Sequence, residues 1–196
     1  MSEPTARAPM TEEQLRAATV GELQALTGPI RLVAYDPRWP ALFRREADRI
    51  QRLLGDRALR VEHVGSTAVP GLAAKPILDL LLVVADSGDE PAFVPALTGA
   101  GYVLRIREPD CYQHRLFKGP DTEVNLHVFS AGCPEIDRML RFRDWLRAKE
   151  ADRALYERTK RALAQQRWKY VQNYADAKTA VVEDILRRAR DEADGR

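Results

Sequence analysis

Apolar residues recur along this chain with two different periods, and the places where one gives way to the other mark the expected elements. Trp39, Leu42, Phe43, Ala47, Ile50, Leu53 and Leu54 return at helical spacing up to Gly55, which predicts an amphipathic helix after the Asp36-Pro37 break. Upstream, Thr11 and Gln14 have the spacing of a capping box, with Met10 and Leu15 as its hydrophobic staple, so a helix is expected from 12 to 27, ended by Gly28-Pro29. Ile30 to Tyr35 and Leu59 to Val64 read as strands. Ile77 to Ala85 is an almost unbroken apolar run of strand length, suited to a central strand covered on both faces.

Beyond it, 89–100 reads as a helix diluted by Pro91, Pro95 and Gly99, and Tyr102 to Ile106 as a strand. Tyr112 to Lys118 and Glu123 to Phe129 alternate around Gly119-Pro120-Asp121-Thr122, the form of a hairpin with a four-residue loop. From Pro134 the period becomes helical, with helices expected near 134–148, 151–167 and 169–191. The pattern therefore predicts an α/β (α+β) protein: a mixed β-sheet flanked by helices, with a helical C-terminal part. Residues 1–28 are expected to form a leader and helix, and 29–192 a single domain, divided into a sheet core over 29–130 and helices over 134–191.

Composition changes this picture little. With 45% hydrophobic residues, 196 residues suffice for one sizeable core. Thirty-one basic and 29 acidic side chains give a net charge of +2, which argues against a nucleic-acid partner but leaves room for a local anion site. Four arginines in Arg138 to Arg147, interleaved with Phe142 and Trp145, would suit RNA contacts, but Glu135, Asp137 and Asp144 dilute them into a solvated helix face. Cys111 and Cys133 have no metal-site spacing, no apolar stretch approaches the roughly 20 residues of a bilayer span, and the start lacks a signal peptide. A cytoplasmic protein without membrane association is expected.

The candidate chemistry lies between His63 and Asp79. Gly65 permits close backbone approach to a ligand, Ser66 and Thr67 add hydroxyls beside main-chain N–H groups, and Lys75 supplies a mobile positive charge. A plain tight loop between two strands is the competing reading. Asp79, embedded in apolar neighbours, must be paired, hydrated or metal-bound. His114-Arg115 alternates so that only one of the two faces a pocket, Arg115 being the better anion clamp. Lys178 and Tyr174, four apart on a predicted helix, are placed to close a pocket from the helical side, or else to serve as a surface charge above a core tyrosine. His63, His114 and His127 lie on three predicted strands without zinc-motif spacing, and isolated histidines are more often structural.

Twelve residues separate Ser66 from Asp79, a spacing that resembles the nucleotidyltransferase superfamily signature, in which a Gly-Ser pair precedes a strand bearing an acid, a hydrophobic residue and a second acid. Here the second acid position is Leu81, and Asn125 stands where a third acid would be sought. From about residue 30 to 190 the chain is similar to the GrpB family. The resemblance rests on Tyr35 to Pro40, His63 to Asp79, His114-Arg115, Asn125 to Val128, Arg141 to Leu146, and Tyr174 with Ala177-Lys178. It implies a nucleotidyltransferase-like sheet with a helical carboxy-terminal part, no settled activity, and related domains fused to dephospho-coenzyme A kinase.

Two functions are open on these grounds, with a third behind them. In one, a transferase acts on a nucleotide or other phosphorylated small molecule: Asp79 and Lys75 are catalytic, Gly65, Ser66, Thr67, His114, Arg115 and Lys178 hold phosphate, and Asp79 with Asn125 and His127 carries magnesium or manganese. In the other, the missing acids leave a non-catalytic nucleotide- or coenzyme A-related binding module, since a lone aspartate makes a poor two-ion site. The third treats Trp145, Tyr156, Trp168 and Tyr170 as a partner-docking surface.

Overall fold

The computed structural model describes residues 8–195; residues 1–7, most of the expected leader, lie outside the described residues. The run without alternation forms β2 (Leu78–Val84), the second strand of a five-stranded mixed sheet. The others are β1 (Arg60–Val64), β3 (Val103–Glu108), β4 (His114–Lys118) and β5 (Val124–Ser130), in the order β1-β2-β5-β4-β3. Among the described residues only β2 and β5 pair in parallel; the other neighbours are antiparallel. Parallel neighbours require a long crossover, here residues 85–123, which hold α3 (Val94–Gly99) and the β3–β4 pair.

Alternation divides the side chains of the central strands between two cores. Leu78, Leu80, Leu82 and Val84 of β2 join Val124, Leu126 and Val128 of β5 beneath α2 (Trp39–Leu54) and α3. On the other face, Leu81, Val83 and Phe129 pack on Ile136 and Leu140 of α4 (Pro134–Ala148). Further helices, α5 (Glu150–Ala164), α6 (Val171–Asp176) and α7 (Thr179–Ala193), continue that layer. Leu146, Tyr156 and Ile185 from α4, α5 and α7 enclose Val69 and Leu72 of the β1–β2 connection. The amino-terminal segment lies against the helices, Ile30 packing with Ala164 and Tyr174.

Local departures from the expected elements have identifiable causes. The first helix, α1 (Glu12–Ala18), carries its capping box but stops well short of 27. The β-branched pair Thr19-Val20 leaves it: the Thr19 hydroxyl donates back to the Leu15 carbonyl at 2.6 Å, and Val20 N–H bonds Arg105 O at 2.9 Å along the sheet edge. Ile30 to Tyr35 gives one isolated bridge, Val33 with Ala74, in place of a strand. Tyr112 and Gln113, both at positive φ, turn the chain into β4, which therefore begins at His114. The expected helix 169–191 is broken at Ala177-Lys178 into α6 and α7.

One buried charge ties α2 to the hairpin. Glu46 is fully buried, accepts from the Tyr102 hydroxyl at 2.8 Å and the Thr122 hydroxyl at 3.3 Å, and lies within 3.6 Å of Arg45 and Arg49, while Arg49 makes a two-pronged pair with Asp121. No helix among the described residues is long and apolar enough to cross a membrane.

The core yields two expected outcomes. Leu80, fully buried between the sheet and α2, leaves a cavity when cut to alanine, so Leu80→Ala is expected to lose about 3 kcal/mol in urea unfolding. His63 faces α2, where it stacks on Phe43 with centroids 4.9 Å apart and shares a 3.0 Å hydrogen bond with Thr67. Burial pushes its ring down to about 4. The unfolded chain then binds the extra proton first, so stability present above about pH 6.5 is lost as pH falls toward 4, a contribution on the order of 3 kcal/mol. The acid limb of the stability curve should flatten in His63→Phe; an unchanged limb would disprove this assignment.

Candidate functional site

The parallel register of β2 and β5 sets Asp79 opposite Asn125 and Leu81 opposite His127, while β4 adds Lys118 opposite Asn125. All four polar residues point to the α4 side of the sheet, because alternation sends their neighbours Leu78, Leu80, Leu126 and Phe117 to the α2 side. A bonded row results. Lys118 Nζ donates to Asn125 Oδ1 at 2.6 Å, and Asn125 Nδ2 donates to Asp79 Oδ1 at 2.7 Å. His127 Nε2 is 3.9 Å from the same carboxylate oxygen, an electrostatic contact too long for a hydrogen bond. Behind it, His127 Nδ1 is 3.0 Å from His114 Nε2, and His114 Nδ1 is 2.7 Å from Glu108 Oε2.

The β1–β2 connection closes over this row. Gly65 leaves β1 at φ +67°, a conformation suited to glycine. A Cβ there would lie 2.4 Å from Asp79 Oδ2. The glycine turn and the acid therefore face each other directly. Ser66 and Thr67 begin a short 3-10 turn, but their hydroxyls part: Thr67 is buried against His63, whereas Ser66 Oγ accepts from Lys160 Nζ at 3.0 Å. Lys160, on α5 and only 2% exposed, also donates to the Ala73 carbonyl, while Glu157 takes the Ala73 N–H at 3.0 Å. Tyr156, one turn earlier, interacts with Ser66 through its hydroxyl.

Helix α6 and the α6–α7 junction form the remaining wall. Lys178 Nζ lies 4.8 Å and Lys75 Nζ 5.8 Å from the centre of the Tyr174 ring. Tyr174 is 1% exposed, and its hydroxyl is a buried donor without a hydrogen-bond partner among the described residues. Buried polar groups are usually satisfied, so this hydroxyl is one that a ligand oxygen would satisfy.

The electrostatics of this space are lopsided. Lys75, Lys118, Lys160 and Lys178 all interact with Asp79, and burial pushes each below the ordinary lysine range, Lys160 to about 7. Glu123, Glu157 and Asp176 act from the periphery without restoring these values, and Arg105 and Arg161 oppose them. Burial pushes the Asp79 carboxyl up, but His127, then Asn125 and Lys75, outweigh this and hold it below the usual carboxylate value. It keeps 30% of its side-chain surface, so it forms the floor of a space open to solvent.

A divalent ion does not fit this donor set. Magnesium and manganese are held by several oxygen ligands, usually including carboxylates. Here one carboxylate is bonded to an amide and surrounded by ammonium groups, and no group of three or more His, Cys, Asp or Glu suited to a metal occurs among the described residues. Leu81, where a second acid would stand, is packed in the α4 core.

Of the residues expected to form the site, Gly65, Ser66, Lys75, Asp79, Asn125, His127 and Lys178 come together. His114 stands behind His127, sandwiched between it and Phe129. Thr67 is occupied by His63. Arg115 does not join them: it lies on the opposite face, opposite Val128, and is buried with Nε donating to Glu90 Oε1 at 2.6 Å and Nη1 to Gln113 O at 2.8 Å. His63 is likewise on the α2 side.

Lys118, Lys160 and Tyr156 were missed. The signal for two of them was a stripe at four-residue spacing, Tyr156, Lys160 and Ala164, which makes the buried face of α5 with a lysine at its centre. Arg138, Arg143 and Arg147 are spent on Glu135, Glu183, Glu62, Asp144 and backbone carbonyls. Tyr156 and Tyr170 are buried, and Trp145 donates to Asp152 at 2.6 Å, so these aromatics serve the interior. Two surface hollows, about 410 Å³ beside Ile30 and Arg161 and about 340 Å³ beside Gly71 and Arg158, adjoin α5 away from Asp79.

Comparison with known proteins agrees over the whole sheet and most of the helices. The family model described as GrpB protein matches residues 29–188. A UPF0157 protein of Halalkalibacterium halodurans is 63% identical over 92% of this chain and 93% of its own length. A dephospho-CoA kinase of Mycolicibacterium paratuberculosis is 34% identical over 87% of this chain but only 48% of its own length. The crystal structure of conserved protein GrpB from Enterococcus faecalis superposes with a TM-score of 0.73 at 31% identity, covering 83% of this chain and 99% of that one. This chain belongs to the GrpB family.

Proposed function

We propose that this protein binds a phosphorylated small molecule, with nucleoside polyphosphates the class that fits best, and that lysines do the work that divalent ions do in a nucleotidyltransferase site. The observation that carries the reading is the convergence of Lys75, Lys118, Lys160 and Lys178 on one carboxylate, all of them held below their ordinary values by burial. Ammonium groups taken out of water without matching acids are costly. A bound polyphosphate supplies the missing negative charge, and the Ser66 and Tyr174 hydroxyls supply donors for its oxygens. The Gly65 turn meeting Asp79 resembles the phosphate-binding turn of nucleotidyltransferases, and relatives named dephospho-CoA kinase, of which the match spans about half, are by that name kinases of dephospho-CoA. Metal-dependent nucleotidyl transfer, with magnesium or manganese on Asp79, Asn125 and His127, is the competing reading, and the donor set described above counts against it.

The two readings differ in the sign of one substitution. If lysines replace the metal, ATP binds in the presence of EDTA, Asp79→Asn strengthens that binding by removing the nearest negative charge, and Lys178→Ala weakens it about tenfold or more. Isothermal titration of the three proteins checks this. Binding that needs magnesium and vanishes in Asp79→Asn would favour the metal site instead.

A further inference from the structure

One contact in the site exceeds what phosphate binding requires. Lys160 Nζ is 3.0 Å from Ser66 Oγ, on an amine that is 2% exposed, while Ser66 itself is half-buried beside the Gly65 turn and Asp79. An ordinary phosphate-binding lysine points its ammonium at the ligand. This one approaches the serine from behind, and donates a hydrogen bond to the Ala73 carbonyl.

We propose that Ser66 is a nucleophile and Lys160 its general base, so that the site transfers the terminal phosphoryl group of a phosphoanhydride to Ser66 and then to water. The choice of a phosphoanhydride as substrate rests on the phosphate-binding reading above; the serine–lysine pair itself rests on the geometry alone.

The step balances without a co-reactant other than water. The neutral Lys160 amine accepts the Ser66 hydroxyl proton as Oγ forms a bond to phosphorus and the bond from phosphorus to the bridging oxygen breaks. The departing phosphate oxygen then takes that proton from the Lys160 ammonium. In the second half, water attacks the phosphoserine, gives a proton to Lys160, and Ser66 Oγ leaves and recovers it. Lys75, Lys118 and Lys178 neutralise the phosphoryl oxygens throughout, the role of preorganised positive charge in such a transition state.

The environment of Lys160 supports its use as a base. Tyr156 lies beside it on α5, with the ammonium 4.9 Å from the ring centre, and Tyr156 also interacts with Ser66. The charged groups that face it are Glu157 and Arg161 from its own helix, Lys178 from the α6–α7 junction and Asp79 from β2. Burial, reinforced by Lys178, brings its value to about 7, where a lysine is an effective general base at neutral pH. The Tyr174 hydroxyl, near Tyr156 and without a hydrogen-bond partner among the described residues, provides a further donor for the attacked group.

The competing account makes Lys160 a clamp that only holds the β1–β2 connection against α5. A fluorophosphonate probe separates the two, because it reacts by loss of fluoride with an activated serine whatever the natural ligand is. Peptide mass mapping should find the adduct on Ser66, formed at a rate that rises through an inflection near pH 7 and falls about 100-fold in Lys160→Arg, which keeps the positive charge and can donate to Ala73 O but offers no base at this pH. The inflection is read on the unaltered protein, so the test survives if the variant fails to fold. An absent Ser66 adduct, or one formed at the same rate in a folded Lys160→Arg, overturns the proposal. ATP titration of the unaltered protein keeps the two ideas apart. Binding without a Ser66 adduct removes the nucleophile and leaves the phosphate site, whereas a Lys160-dependent adduct without ATP binding keeps the pair and removes the substrate class.

Discussion

The parallel, in-register pairing of β2 with β5 is the constraint on which the site depends. A strand apolar on both faces has to lie inside the sheet, and β2 satisfies this with β1 on one side and β5 on the other. Once those strands are neighbours, the two-residue period leaves no freedom: Asp79 stands level with Asn125, and Lys118 follows on β4. A shift of one residue along β5 would exchange Asn125 and His127 for Val124 and Leu126. It would also turn apolar side chains toward Lys160 and carry polar ones under α2, so the packing of Leu80, Leu126 and Trp39 enforces the polar row as firmly as any hydrogen bond within it.

What this row lacks is as informative as what it contains. A metal-dependent transfer site concentrates negative charge around its ions; here positive charge is concentrated around a single acid. Lys75 and Lys118 come from the sheet side, Lys160 and Lys178 from the helical layer, and their depressed values share one leading cause, the loss of water. The helices thus do more than cover the second face of the sheet. They bring Lys160 and Lys178 in among buried groups beside Asp79, and with Tyr156 they hold the Ser66 hydroxyl against an amine.

Much of the fold was legible along the chain, and the failures share a cause. The α2 helix, the β4–β5 hairpin and α4 follow from local period and turn residues, and each lies close to its expected bounds. Helix 12–27 was overread because Thr19 and Val20 find sheet-edge partners in β3, which are distant in sequence. The stretch 169–191 keeps one apolar period across α6 and α7, so the break at Ala177-Lys178 is invisible in the pattern although it is what seats Lys178 over Tyr174. For His114-Arg115, alternation predicted that one would face the pocket side, but which one depended on register with β5.

By itself the sequence determined the glycine turn and the acid beyond it, short-range features that turn geometry and strand period express locally, and its separate motifs carried the resemblance to the GrpB family. Only the tertiary structure decided that Lys118 from a hairpin reaches Asn125 beside Asp79 and Lys160 from a helix reaches Ser66 in the turn facing it, that Arg115 is spent on Glu90 across the sheet, and that Leu81 is core where an acid would hold a metal. The physical reason is that a lysine reads as a solvated surface charge until long-range packing takes away its water, and nothing in its near neighbours along the chain records that loss.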